Sequence, residues 1–360
     1  MKPFVPDYPV PTTAAEFSEH VHRGRPCHDL DFTGADFRGA KAGGATITQT
    51  TLKAIDLRDA DLRESRFVNC DFADANLSGS NLQHATFVGC DLSRANLSGA
   101  RFVGASIAQS QAPGLDLRDA DCRVARLVES TLDGAHLDRA NLERTAFIDS
   151  SIVGLVLRGC VLDQTVLLRA DLRSVQLDGV RMQGTILVGA NLSGMKLPGM
   201  SLRACQFSEA NLAGIDLSGA DLEQANFTSA DLSHADLSRA HAKGALFLDA
   251  VAVEANLQNA MLEQALFMGA RLDRANLSGS KLPQAQMQRA VLYGAQLSRT
   301  DLTYTDFSEA DLRLADFTRA SMFRANLQAA DDRGAVIPSR AQALSEDPEL
   351  LAAQQWTPKY

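Results

Sequence analysis

NFTSADLSHADLSRA, residues 226–240, repeats itself every five residues. Its large apolar residues are Phe227, Leu232 and Leu237, with Leu222 before them. Ala220, Ala225, Ala230, Ala235 and Ala240 keep the same interval, each two places before a large apolar position. A helix repeats after about 3.6 residues and a strand after about 2, so neither matches this spacing. Leucine at every fifth position of a helix would smear its apolar stripe around the axis.

The frame extends outward without insertion or deletion, from Phe32 to Leu327. It has sixty centres, of which 36 are Leu, 13 Phe, 3 Ile and 3 Met; the others are Ala42, Ala112, Cys122, Ala242 and Ala252. Asp or Asn most often stands just before a centre. A chain that buries two of every five side chains must turn a corner once per unit. Four corners close a coil of 20 residues, and stacked coils pair their backbones at about 4.8 Å. Sixty centres then predict about fifteen coils and a stack roughly 72 Å long.

The unit Ala-Asp/Asn-Leu-x-x resembles that of the pentapeptide-repeat proteins, over residues 30–331. The resemblance implies an all-β solenoid: a right-handed quadrilateral β-helix of about 15 coils, with centres pointing inward and a small residue at each inner corner. Such stacks need capped ends. The expected division is 1–29 as an extended segment and capping helix, 30–331 as the β-helix, and 332–360 as a tail with a short helix. The fold predicts short helical caps at both ends.

At the start, Pro3, Pro6, Pro9 and Pro11 predict extended chain. Thr13-Ala14-Ala15-Glu16 reads as a capping box, hydroxyl first and carboxylate three later, opening a helix through about Val21 with Gly24 as its stop. Its expected task is to cover the first coil, whose open backbone groups invite end-to-end association. In the tail, Ser345-Glu346-Asp347-Pro348-Glu349 opens an expected helix, with Leu350, Leu351 and Trp356 as its apolar side.

No run of about 18 apolar residues exists, so no membrane-spanning helix is expected. MKPFVPDYPVPTT lacks the charged and apolar regions of a secretory signal. Of six cysteines, Cys70, Cys90, Cys160 and Cys205 take small inner positions, Cys122 is a centre, and Cys27 lies outside the frame. They read as small buried hydrophobes, which points to a reducing cytoplasm.

The outward positions supply the candidate site. Residues 20 apart stack, and one side reads Val68, Val88, Ala108, Val128, Ile148, Leu168 and Val188 just after its centres, with Leu248 and Met268 further on. Val166, Ile186, Leu246 and Leu266 stand just before centres on the same side. The other three sides carry mainly Asp, Asn, Arg, Ser and Gly. Stacked β-branched residues stabilise strands, yet an apolar stripe this long exceeds the few hundred Å2 usual on a monomer. The expected interface is therefore Val68, Val88, Val128, Ile148, Val166, Leu168, Ile186, Val188, Leu246, Leu248, Leu266 and Met268, with Trp356 of the tail. It would take a protein partner or a second copy in a homodimer.

Some members of the resembled family imitate DNA and bind type II topoisomerases such as DNA gyrase. Residues 30–331 carry 36 acidic and 29 basic side chains, net −7, whereas about 72 Å of duplex carries on the order of 40 negative charges. Arginine follows many aspartates, as in Asp56-Leu57-Arg58. The acidic ring Asp301, Asp306, Asp311 and Asp316 reads as side-chain-to-backbone turn bonding. DNA mimicry is thus the rival expectation, and no direct nucleic-acid contact is expected.

His20, His22 and His28 with Cys27 match no structural zinc spacing. Neither a phosphate-binding glycine loop nor a nucleophile beside a base occurs, so no catalysis, metal or cofactor is expected. The reading is a bacterial-type, cytoplasmic, non-catalytic scaffold or adaptor. The resemblance also implies a narrower task, as an accessory of type VI secretion or a partner of its effectors.

Overall fold

Every one of the sixty centres is buried, none more than 6 % exposed. The computed structural model, which describes residues 8–344, is a β-solenoid whose bridges join residue i to residue i+20, all of them parallel. Asp31 pairs with Thr51, Asp36 with Asp56 and Lys41 with Asp61, so successive sides are five residues apart. The period seen in the sequence is therefore the period of the corners. By internal contacts the chain divides into residues 1–185 and residues 186–360.

In residues 1–185 the main helix is α1 (Ala14–His22). Thr13 caps it, its hydroxyl accepting from the Glu16 N–H at 3.2 Å. The Glu16 carboxylate turns to Thr12, accepting from its N–H at 2.8 Å and its hydroxyl at 2.9 Å. Phe17 stacks on Phe37, centroids 4.8 Å apart, and meets Phe32 edge-on at 5.8 Å. Ser18 Oγ accepts from the Lys41 N–H at 2.8 Å, giving a first-coil amide its partner. Helix α1 thus covers both the apolar and a polar part of the exposed end.

One side of this unit forms a continuous parallel sheet: β1 (Cys27–His28), β2 (Thr46–Thr48), β3 (Arg66–Val68), β4 (Thr86–Val88), β5 (Ser106–Ala108), β6 (Arg126–Val128), β7 (Ala146–Ile148) and β8 (Val166–Leu167). Strand order follows chain order, which makes about seven turns. On the other sides the chain bends tightly. The N–H three residues after a centre donates to that centre's carbonyl, as from Ala35 to Phe32 at 3.0 Å and from Ala95 to Leu92 at 3.0 Å.

The sheet side bends more widely, and its inner corners explain why. They hold Thr50, Cys70, Cys90, Ser110, Ser130 and Ser150, where most other corners hold alanine. The Ser110 hydroxyl donates to the Ala108 carbonyl at 2.7 Å, and that of Ser130 to Val128 at 2.8 Å. Their oxygens then accept from the coil below: Cys90 N–H to Ser110 Oγ at 3.0 Å, Ser110 N–H to Ser130 Oγ at 3.2 Å, and Ser130 N–H to Ser150 Oγ at 3.2 Å. Side chains thus satisfy the amides that a tight turn would bond to its own carbonyl. Ala170 and Ala190 offer no such oxygen, and at Ala190 the tight bond returns, N–H to Leu187 carbonyl at 3.0 Å.

In residues 186–360 the bridges run from Ile186↔Gln206 to Asp316↔Val336. Phe207, Phe227, Phe247 and Phe267 form a column of parallel rings, 5.1, 4.9 and 4.5 Å between centroids. A 3-10 helix, Arg340–Gln342, follows. Here the Gln342 carbonyl accepts from Arg324 N–H at 2.8 Å, and Leu344 N–H donates to the Ala325 carbonyl at 2.9 Å. The expected helix at 345–349 and its Leu350, Leu351 and Trp356 lie outside the described residues.

The second residue after nearly every centre takes the left-handed conformation, Ser174 being the exception, which accounts for Gly34, Gly39 and Gly44 in that place. Val124 occupies the same place with φ 61°, and among the described residues it is the β-branched side chain held there. It is half exposed, so little packing offsets the strain. Val124→Asn is expected to stabilise the protein by about 1 kcal/mol, read as a raised denaturant midpoint at constant slope. A lowered midpoint would refute the assignment of strain.

Candidate interaction face

The sheet of residues 1–185 presents three ranks to its surroundings. Centres point inward, and the residues flanking them point out. Val68 pairs with Val88, Val88 with Ala108, Ala108 with Val128 and Val128 with Ile148, in register. This stacking leaves Val68, Val88, Val128, Ile148 and Val166 half-buried by their own neighbours, while Leu168 is 42 % exposed. Beside Leu168 lies a depression of about 150 Å3 bordered by Phe147, Ile152, Val153 and Ala170. It opens where the hydroxyl corners give way to alanine. In residues 186–360, Leu246 pairs with Leu266 over the phenylalanine column. Ile186, Val188, Leu246, Leu248 and Leu266 are half-buried, and Met268 is 37 % exposed. Trp356 lies outside the described residues.

The apolar column has charged borders that the sequence reading passed over. Arg66 and Arg126 stand exposed just before the centres of β3 and β6. Glu129 and Asp149 stand exposed at the opposite corner, two places after their centres. The signal was present at i−1 and i+2 of the same five-residue frame.

Elsewhere many of the acids are occupied. Asp301, Asp306, Asp311 and Asp316 each accept from the backbone N–H two residues on, at 3.1, 2.8, 3.1 and 2.8 Å. Arginine two places after an aspartate folds back on it: Arg58 on Asp56 at 2.6 Å and Arg118 on Asp116 at 2.6 Å. The Arg38 side chain and backbone N–H hold Asp36 well down, at about 2, and Arg333 holds Asp331 at about 2. A carboxyl lowered on folding stabilises above its ordinary value of 3.8 and ceases to do so as pH falls through its folded value. The thermal midpoint is therefore expected to be level from neutral pH to about 5 and to fall between about 4 and 2. A midpoint that rises on acidification would contradict these pairings.

Of the histidines near the start, His20 serves the cap and His28 the first strand pair. His20 is buried, with Nε2 3.3 Å from the Pro26 carbonyl and its ring edge-on to Tyr8 at 4.9 Å. His28 Nδ1 lies 2.8 Å from Thr48 Oγ1. Burial pushes the Cys27 thiol up to about 12. Another depression, about 510 Å3, has Glu223, His241, Lys243 and Glu263 at its walls. Arg203 already holds Glu223 at 2.6 Å.

The profile of the family described as "Pentapeptide repeats" matches eight copies, over segments running from residue 55 to residue 331. No curated protein sequence matches the chain. Among solved structures, full-length QnrB1, a plasmid-mediated fluoroquinolone resistance protein, is similar at 21 % identity. The match covers 55 % of this chain and 91 % of that one, with a TM-score of 0.35. HetL, a pentapeptide repeat protein involved in heterocyst differentiation regulation from the cyanobacterium Nostoc, is similar at 26 % identity over 86 % of this chain and 95 % of that one, TM-score 0.22. A pentapeptide repeat protein of the Arabidopsis thaliana thylakoid lumen shares 25 % identity over 38 % and 80 %, TM-score 0.16. TM-scores this low place no functional residue of this chain.

Proposed function

The chain belongs to the pentapeptide-repeat family, and on that premise we propose that it is a non-catalytic scaffold or adaptor, binding a protein through the apolar side of its coils and through its ends. The observation that carries this reading is the in-register column Val68, Val88, Ala108, Val128 and Ile148, ending at exposed Leu168. Val166 belongs to the same face. Ile186, Val188, Leu246, Leu248, Leu266 and Met268 are its counterparts in residues 186–360, and Trp356 its counterpart in the tail. In finer geometry we propose right-handed quadrilateral winding, about 15 coils over the two units together, with short helical caps at both ends. The placement is cytoplasmic, supported by six cysteines that are buried and unlinked. Among the described residues no helix is long and apolar enough to cross a membrane. The narrower role beside a type VI secretion effector rests on the family resemblance alone.

Val128→Asp combined with Leu168→Asp is expected to abolish docking while leaving the circular dichroism spectrum unchanged. Docking that survives the pair would sink the reading. Docking is also expected to persist in high salt, because apolar contact is not screened. A steep loss with salt favours the rival, a DNA-mimicking ligand of a type II topoisomerase such as DNA gyrase. The Asp–Arg pairs that neutralise the surface count against that rival.

A further inference from the structure

We propose that the occupant of the sheet face in residues 1–185 is a second copy of this chain, packed side by side with its coils running the same way. This rests on the reading of that face as a docking surface and adds the partner, the symmetry axis and the register.

The argument comes from the two borders of the apolar column. Arg66 and Arg126 line one border; Glu129 and Asp149 line the other, with Arg169 beyond them at its end, so the pair that meets at one height is Arg126 with Glu129. Arg126 and Glu129 belong to one coil but are three residues apart across the face, about 10 Å of extended chain. Neither Arg66 nor Arg126 forms an ion pair among the described residues, whereas Arg63 and Arg123 on a neighbouring side and Arg58 and Arg118 on the opposite side all do. Among the described residues Glu129 accepts only a neutral donor, Gln109 Nε2 at 3.0 Å.

A two-fold axis in the interface can run along the stacking direction or across it. Along it, each border meets the opposite border of the second copy at the same height. Val128 then faces its own copy, and Arg126 faces Glu129 of the other chain, twice. Across it, the arginine border lies on the arginine border, and like charges repel. Charge complementarity therefore selects the axis along the coils, and this contact is isologous.

Size sets the strength. Eight strands at about 4.8 Å make a face about 34 Å long and about 15 Å wide, burying about 1,000 Å2 over both copies. That is the scale of a weak, reversible dimer, with a dissociation constant on the order of micromolar or above.

Sedimentation velocity on the full chain, from about 2 to about 200 µM, tests this, with circular dichroism confirming that each variant folds. The wild type is expected to pass from monomer to dimer. Arg126→Glu alone and Glu129→Arg alone are each expected to weaken association about tenfold or more. The double variant R126E/E129R is expected to return to within about threefold of the wild type, since the swapped charges meet again. A dimer that the double variant fails to restore overturns the axis, and with it the proposal. A wild type that stays monomeric at every concentration overturns the second copy as occupant and leaves the docking face standing. A dimer that Val128→Asp does not weaken overturns both, because association then lies elsewhere.

Discussion

Phe247→Ala is expected to cost about 3–5 kcal/mol. Its ring is 1 % exposed and lies between Phe227 at 4.9 Å and Phe267 at 4.5 Å, nearly parallel to both. Stacked coils rise by about 4.8 Å, so rings in one column meet at the separation that aromatic stacking favours. Alanine removes the transfer free energy of the ring and leaves a cavity walled by two rings that the backbone ladder holds in place. The ladder bonds Phe247 N–H to Leu266 carbonyl at 2.7 Å and Phe227 N–H to Leu246 carbonyl at 2.7 Å, which prevents collapse into the gap. Phe323→Ala is the control. That ring is 53 % exposed, and its loss is expected to cost under about 1 kcal/mol. Denaturant titration of both variants decides. Equal costs would mean that ring burial at the centres is not what stabilises the coil.

Ser110→Ala with Ser130→Ala is expected to cost about 2–6 kcal/mol together, about 1–3 for each amide left without an acceptor. The first change orphans the Cys90 N–H and the second the Ser110 N–H, both inside a corner where water does not reach. Each also removes the donor that holds the carbonyl two residues back. The two sites share the Ser110 N–H to Ser130 Oγ bond, so the combined cost need not equal the sum. Ser130→Thr keeps an oxygen at the corner, as Thr50 does, and is expected to stay within about 1 kcal/mol of the wild type. Hydrogen exchange at the Cys90 and Ser110 amides is expected to quicken in the alanine variant. If the corner instead closes as the tight turn found at Ala190, protection stays and the cost is small. The hydroxyl ladder would then not be what holds the wide corner open.

The same column of residues shows where sequence reading stopped. Leu92, Leu157 and Leu232 were expected at the axis, and each is fully buried. Nothing in a five-residue period separates a tight corner from a wide one. The distinction sits in a second period, of 20, running through Thr50, Cys70, Cys90, Ser110, Ser130 and Ser150, and it becomes visible only when those residues are stacked. The candidate face was legible in its apolar rank and not in its borders. Arg126 and Glu129 read as ordinary surface substitutions until the coil sets them at opposite edges of one face.

What the sequence determined by itself is the repeat: which side chains go inward, where the chain must turn, and that residue i lies against i+20. A periodic pattern carries this because every unit makes the same local choice, and burial of a leucine every fifth residue leaves no other register. What the tertiary structure decided is everything that depends on the neighbouring coil. Whether a corner is tight or wide hangs on an oxygen supplied from 20 residues away. Whether valine outside the core is exposed or half-covered hangs on the valine stacked above it, and whether an arginine is paired hangs on which edge it occupies. These are contacts between coils, and a linear pattern does not weigh them because their partners are distant in the chain and adjacent only once it is wound.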